Sequence, residues 1–483
     1  MAHTSSVTKN AFLSVVISAS TTLLALITYP YLLRVLQPSG IGDTRFVQSV
    51  IGYFGLFATL GINDYAIRAI SKVRDNKDNL SRTVSEIYSI SLVTHTVTAL
   101  VLVASLFFVP KFNRLWPLFT VFAVSMLIEG FNCEWLYRGL EKYTYLTVVS
   151  LMGKVISAVS VFLLVKKQDD LVFYSITLVF GNVLSTVCNN ISLKKTIGTG
   201  IRLVRPNIKE KLQPVLIFFF ITGTSILYAH MDVIMIDLLT SNVDNGYYDV
   251  GLKVKTILIS ISSSLWTVAL PKATNLWDRN DVEEAKNFVK KGLHAIYAIQ
   301  FPMVVFFMIF ATPTVMLLGG EQYSAGISAM IFSLSSVFAI GVTNIIGGNV
   351  LMGKGHEKFI LYSSLIGLLS NLLLNLLLIP QNGATGAAAA TALSELIVLI
   401  SEAMFIKVKL RISVFEPGVF AKCMLSCALG GAFSLFAFVL PGGNILKLVY
   451  GVILFAVGYL AVMIPTKDAI VFGLLSRFLH IKR

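Results

Sequence analysis

The chain has 483 residues, 55% of them hydrophobic and only 13% charged, against about 25% charged in an ordinary soluble domain. That balance excludes a soluble globular fold, and no stretch is long and polar enough for a separate soluble domain. The net charge of +14 would suggest nucleic acid in a soluble protein, but here its distribution between loops carries a different message.

Apolar runs of about twenty residues, enough to cross roughly 30 Å of hydrocarbon at 1.5 Å per residue, recur along the whole chain. In the first half they cover residues 11–33, 44–62, 87–109, 117–137, 144–165, 171–191 and 215–238. The second half adds 247–270, 293–318, 326–352, 359–379, 384–406, 419–440 and 445–464. The expected fold is an all-α membrane protein of about 14 transmembrane helices. The first run is too long for a signal-peptide core and lacks a small-x-small cleavage site, so it is expected to stay as a helix.

Most of the 39 Lys and Arg fall in alternate loops, on the side that holds the N-terminus. The richest are 68–82, 194–211 and 272–291, whereas the loops near Asp244, Glu321 and Gln381 carry none. The positive-inside bias then places both termini in the cytoplasm. Cys133, Cys188, Cys423 and Cys427 lie within or at the ends of spans and suggest neither a disulfide framework nor a metal site.

The two halves echo each other. Spans 4 and 5 are joined by Arg138-Gly139-Leu140-Glu141-Lys142-Tyr143, and spans 10 and 11 by Lys354-Gly355-His356-Glu357-Lys358-Phe359. A weaker echo relates Gly42–Phe46 to Gly246–Val250. Matching elements share a side of the membrane, so the expected organisation is a parallel duplication into two pseudo-symmetric six-helix bundles. These are a lobe over 1–193, a basic linker over 194–214, a second lobe over 215–410, and two further helices with a tail over 411–483.

Two motifs mislead. Gly348-Asn349-Val350-Leu351-Met352-Gly353-Lys354-Gly355 nearly spells a phosphate-binding loop, but it lacks the closing Ser or Thr and follows a membrane helix instead of a strand. His95, His230 and His294 show no metal-ligand spacing. No cofactor, and no catalytic or metal residue, is expected.

The ionisable residues inside the spans carry the functional information, since each costs about 2.5–3.5 kcal/mol at helix centre unless it finds a partner or a wet cavity. Lys154 and Glu129 lie at similar depth in spans 5 and 4, which suggests either an ion pair or a lumen role for the lysine. Asp232 and Lys253 stand in the same relation in spans 7 and 8. Lys255 is rotated by about 200° from Lys253, so one of the two lysines is expected to face a cavity. Arg34 and Arg45 flank the first external loop, within snorkelling reach of the interface. Glu395 and Glu402 share a face of span 12 and are candidates for coupling to H+ or Na+, with Ser, Thr or Asn of span 11, such as Asn371 and Asn375, as the structural alternative. The candidate substrate-binding set is Arg34, Arg45, Lys154, Lys253 and Lys255. The coupling candidates are Glu395, Glu402, Glu129 and Asp232. A cavity lined by the basic set would attract an anionic head group such as a pyrophosphate.

Several short segments resemble the Wzx-type polysaccharide repeat-unit flippases, of the superfamily that includes the MATE drug exporters and the lipid II flippases. They are Tyr29–Leu36 with Gly40–Gly42, Leu60–Asn63, Glu134–Glu141, Met231–Met235, Gly246–Tyr248, Leu270-Pro271, and Asn382–Gly386 leading to Glu395. The resemblance covers essentially the whole chain. It implies a MATE-like fold of two six-helix lobes around a central cationic cavity, alternating between inward-open and outward-open states. It also implies a monomer in the bacterial inner membrane that moves undecaprenyl-pyrophosphate-linked oligosaccharide outward for O-antigen, capsule or exopolysaccharide assembly by ion antiport. The polysaccharide polymerase and chain-length machinery are the partners it suggests, besides membrane lipids. The alternative reading is a MATE-like multidrug or metabolite exporter, for which an acidic, aromatic pocket would be expected in place of the lysines. A polymerase, the rival from the enzyme class, would need a large external loop, and the longest here has only about ten residues.

Overall fold

The computed structural model describes residues 2–198 and 208–478, which are helical almost throughout and contain no strand among the described residues. Residues 199–207, the middle of the basic linker expected at 194–214, lie outside them. The chain forms two compact units, 1–234 and 235–483. The first is built from α1 (Ala2–Thr59), α2 (Ile62–Val73), α3 (Lys77–Phe108), α4 (Pro110–Arg114), α5 (Trp116–Glu129), α6 (Glu134–Gly139), α7 (Tyr143–Leu164), α8 (Leu171–Ile197) and most of α9 (Ile208–Leu239). The second continues with α10 (Asn242–Asp278), α11 (Val282–Ala295), α12 (Phe301–Ile309), α13 (Ala311–Leu318), α14 (Gly326–Ile346), α15 (Glu357–Val408), α16 (Pro417–Ser434), α17 (Asn444–Met463) and α18 (Ala469–Phe478).

This is a multi-pass membrane protein. Among the described residues ten helical segments are long and apolar enough to span a bilayer, and α1 and α15 each hold two of the expected spans. Gln37 divides α1 (φ 59, ψ 173); it precedes Pro38, whose ring disfavours the helical region for its neighbour. Gly383 divides α15 (φ 51, ψ −129), where a residue without Cβ carries the positive φ at least cost. The shorter apolar helix α5 covers the fourth expected span.

Two helices appear where the sequence suggested only basic loops. In α2, Ile62, Ala66 and Ile70 are buried while Asn63, Asp64 and Arg68 are exposed. In α11, Ala285, Val289 and Leu293 are buried while Glu283 and Glu284 are exposed. Each is an i, i+4, i+8 stripe of an amphipathic helix lying along a surface. Each follows the second span of its half of the sequence.

The turn that joins spans 4 and 5 does recur between spans 10 and 11. Glu141 N donates to Arg138 O and Lys142 N to Tyr137 O; Gly355 N donates to Met352 O and His356 N to Leu351 O. Both are αL helix ends of the 6→1 and 5→2 type, with Glu141 and Gly355 at positive φ. The geometric match is displaced by two residues from the match in sequence, and the same turn also closes α10 at Asn280 and α17 at Lys467.

Helices within each unit approach closely where glycine permits. A Cβ on Gly153 of α7 would stand 3.1 Å from Gly181 Cα of α8, and one on Gly251 of α10 would stand 2.9 Å from Met330 Cα of α14. Small residues are favoured there because lipid tails are as apolar as leucine and association depends on backbone proximity. Facing outward are apolar side chains such as Val97, Leu100, Phe107 and Phe108 of α3.

The C-terminal helices are fastened by one buried carboxylate. Asp468, with no exposed side-chain area, accepts from Lys422 Nζ of α16 and lies 2.8 Å from His294 Nε2 of α11. Its other oxygen caps the amides of Ile470 and Val471 at the start of α18. Burial raises the Asp468 pKa, but the hydrogen bonds from Lys422, the Val471 amide and His294 outweigh it and hold the carboxyl below its ordinary range. A depressed folded-state pKa gives stability that is present above the unfolded value and lost as pH falls through the folded one.

Gly251→Leu is expected to lower the yield of folded protein and its melting temperature, because overpacking of this kind costs about 1–3 kcal/mol. Asp468→Asn should destabilise the purified protein at pH 7 by about 1–3 kcal/mol. In thermal melts the gap from wild type should close as pH falls through the lowered folded-state pKa, below which the carboxyl is protonated in both states.

Candidate functional site

In unit 1 the second half of α1 and the end of α9 bring together a polar cluster that no single sequence segment announces. Arg45, half-buried, places Nη1 3.2 Å from Gln48 Oε1. One turn on, Ser49 Oγ lies 3.2 Å from His230 Nδ1. The imidazole occupies the space left by Gly52, where a Cβ would meet Nε2 at 2.6 Å, and meets the Tyr53 ring edge to face at 6.1 Å. Asp232, two residues beyond His230, is buried and near enough to Tyr53 to act on it electrostatically. Arg45 and Asp232 thus fall in one constellation, to which sequence reasoning did not assign Ser49, Tyr53 or His230. A histidine inside an apolar span, with a glycine on the helix it packs against, was the available signal.

A second group lies at the C-terminal end of α5. Glu129 Oε1 accepts from Asn182 Nδ2 (3.2 Å) and Ser125 Oγ (3.4 Å). These neutral donors hold Glu129, because α8 packs against α5 and presents Asn182 at that depth. Glu134 of α6 is near enough to Lys154 to act on it electrostatically. Arg34 is exposed, three residues before the break at Gln37.

In unit 2, Lys255 is buried and Lys253 is half-buried on α10. Asp237, Asn245 and Asp249 are also buried, with Asn245 Nδ2 3.4 Å from Asp237 Oδ1. A polar seam runs between α10, α14 and the π-helical turn Ile296–Gln300. Gln300 Nε2 donates to Leu258 O and Ser262 Oγ, and Asn344 Nδ2 donates to the same Ser262 Oγ. On α15 Asn375 donates to Asn371, and Asn371 Nδ2 lies 3.5 Å from Thr391 Oγ1 across the Gly383 break.

Glu402 is buried, and its Oε1 accepts from Ser363 Oγ at 2.9 Å. Its Oε2 has no hydrogen-bond partner among the described residues and faces Gly347 in the second π-helical turn, Gly347–Met352. Glu395, half-buried, is near enough to act on it electrostatically. Among the described residues no three His, Cys, Asp or Glu side chains meet as metal ligands, and all four cysteines are free.

Comparison with known proteins adds the following. Residues 7–277 match the family described as "Polysaccharide biosynthesis protein". The chain is 23% identical over 409 residues to a protein of Escherichia coli (strain K12) named "Putative O-antigen transporter", covering 83% of this chain and 97% of that one. A protein of Shigella dysenteriae with the same name is 22% identical over 404 residues, covering 81% and 98%. Among solved structures, the lipid II flippase MurJ in an inward closed conformation superposes with a TM-score of 0.74 at 13% identity, over 95% of this chain and 100% of that one. An inward-facing MATE family multidrug resistance transporter gives 0.59 at 13% identity, over 82% and 98%. At these identities the superpositions show a shared fold.

Ser49→Ala and His230→Ala remove one partner of the same contact and are expected to be non-additive. In a double-mutant cycle on transport, the double variant should lose no more than about 0.5 kcal/mol beyond the worse single one. Full additivity would show that the two side chains act separately.

Proposed function

This chain belongs to the polysaccharide biosynthesis protein family, and from that premise we propose that it is a flippase for lipid-linked oligosaccharide. It carries an undecaprenyl-pyrophosphate-linked repeat unit from the cytoplasmic to the outer face of the membrane by alternating access. The observation that carries this reading is similarity to O-antigen transporters along nearly their whole length, on a fold shared with a lipid II flippase. The protein is a transporter and acts without chemistry on its substrate. It resides in the bacterial inner membrane as a monomer with both termini in the cytoplasm, and the units it delivers are consumed by a polymerase and its chain-length partners on the outer face.

The physical problem is to move a pyrophosphate and a string of hydroxyls through hydrocarbon. Arg34, Arg45, Lys154, Lys253 and Lys255 supply cations for the pyrophosphate. Of these Lys255 is the most deeply buried, and its retention at that depth is hard to account for by packing alone. Glu395, Glu402, Glu129 and Asp232 are the groups through which an H+ or Na+ gradient couples to the cycle. Glu402 is the most suited to exchange a proton, since one oxygen is held by Ser363 and the other faces a residue without a side chain.

The test is reconstitution into vesicles with lipid-linked repeat unit, read by a sugar-oxidising reagent that does not cross the membrane. Wild type should expose the internal pool, and Lys255→Ala or Lys253→Ala should slow exposure about tenfold or more, the loss expected for one charge-assisted contact. Glu402→Gln and Glu395→Gln should weaken the response to an imposed ion gradient while leaving downhill exchange in place. Vesicles in which wild type exposes no more lipid than empty ones would defeat the reading.

A further inference from the structure

The segments Leu60–Asn63 and Glu134–Glu141, singled out in the sequence but far apart along it, meet in the structure. They line one polar cavity of about 390 Å³ in unit 1, formed by the first turns of α2, the break after α5, and α6. Asn63 and Asp64 project from the exposed face of α2, whose opposite face is the buried Ile62, Ala66, Ile70 stripe. Asn132, in the break, is fixed: its Oδ1 accepts from Glu134 N (3.0 Å) and from Asn189 Nδ2 (3.3 Å), which leaves its amide NH2 as the free function. Its main-chain carbonyl accepts from Trp135 Nε1, holding the indole as one wall. Arg138 Nε and Nη2 both donate to Glu134 Oε1, at 2.8 and 2.6 Å, so the guanidinium's remaining NH2 and the second carboxylate oxygen stay available.

This inventory selects a class of ligand. Two carboxylates and one guanidinium leave the cavity with a net charge of −1, which repels a pyrophosphate. What it offers is a set of oriented donors and acceptors beside an aromatic wall, at a volume within the usual range for a small-molecule site. Hydroxyls that both donate and accept match carboxylate, amide and guanidinium groups presented together. Glu134 is also near enough to Lys154 to act on it electrostatically, so a head group drawn to that lysine would bring its sugars beside this cavity.

We propose that the cavity between α2 and α6 is a carbohydrate subsite, on the side that the basic loops assign to the cytoplasm, which engages the sugars of the lipid-linked substrate before translocation. The inference rests on the flippase reading and deepens it: recognition of the glycan is separated from recognition of the pyrophosphate. Asn63 and Asp64 determine specificity, and the cations at membrane depth supply the affinity common to all polyprenyl pyrophosphates.

The experiment compares two probes on the purified full-length protein in lipid nanodiscs: undecaprenyl pyrophosphate, and lipid-linked repeat unit extracted from cells that lack this gene. Wild type should bind the glycosylated lipid about tenfold or more tighter, equivalent to at least one good polar contact. The exposed double variant Asn63→Ala/Asp64→Ala should lose that preference while its affinity for undecaprenyl pyrophosphate stays within about twofold. Arg138→Gln, which breaks the ion pair but keeps a donor, should lose part of it. An unchanged preference in the double variant, or an equal loss for both lipids, overturns the subsite and leaves the flippase reading standing. Wild type that binds neither lipid overturns both.

Discussion

The structure depends on one constraint: a polar or charged group placed in hydrocarbon must find its partner inside the protein. With no water at that depth, an unmatched group costs several kcal/mol, which only helical backbones avoid by construction. Two contacts described above answer to that rule. Glu129 is held by Asn182 and Ser125, and the Gln300 amide NH2 by Leu258 O and Ser262 Oγ. The same rule explains why glycines line the helix contacts, since with no solvent to expel, helices adhere through backbone proximity and dispersion.

A transporter needs the constraint to be met in more than one state. Residues that satisfy each other within one unit, such as the Asp468 cluster, hold that unit rigid. Residues with spare capacity, such as Glu402 with its second oxygen against Gly347, can change protonation without dismantling a helix contact. The two π-helical turns, Ile296–Gln300 and Gly347–Met352, lie in the segments that carry these buried polar side chains. Insertions of this kind are frequent at functional sites, and here they accompany Gln300 and the glycine that faces Glu402.

Much of the fold was legible because a twenty-residue apolar run has few alternatives to a membrane helix. Each expected span has a helix at its position, and the resemblance to flippases anticipated the shared fold. What escaped was set by tertiary contact. The stripe in α2 contains only three buried positions among charged neighbours, so it read as a basic loop. Glu129 and Lys154 matched in depth, but depth alone does not fix the face of a helix, and the Asn182 and Ser125 donors to Glu129 were not foreseen. The link between Ser49 and His230 joins helices separated by most of a unit in sequence. Asn132 and Asn63 became neighbours of one cavity only through the packing of α2 against α6. The repeated turn was found by sequence at the right place but in a register two residues off, because an αL helix end tolerates Glu as well as Gly.

The account stands or falls on where the lipid-linked repeat unit resides in living cells. The most direct measurement is its transbilayer location in cells deleted for this gene, using a probe that cannot cross the inner membrane. The account predicts accumulation on the cytoplasmic face, relieved when the gene is restored. Normal surface polymer with no such accumulation, accompanied by altered sensitivity to drugs, would contradict it.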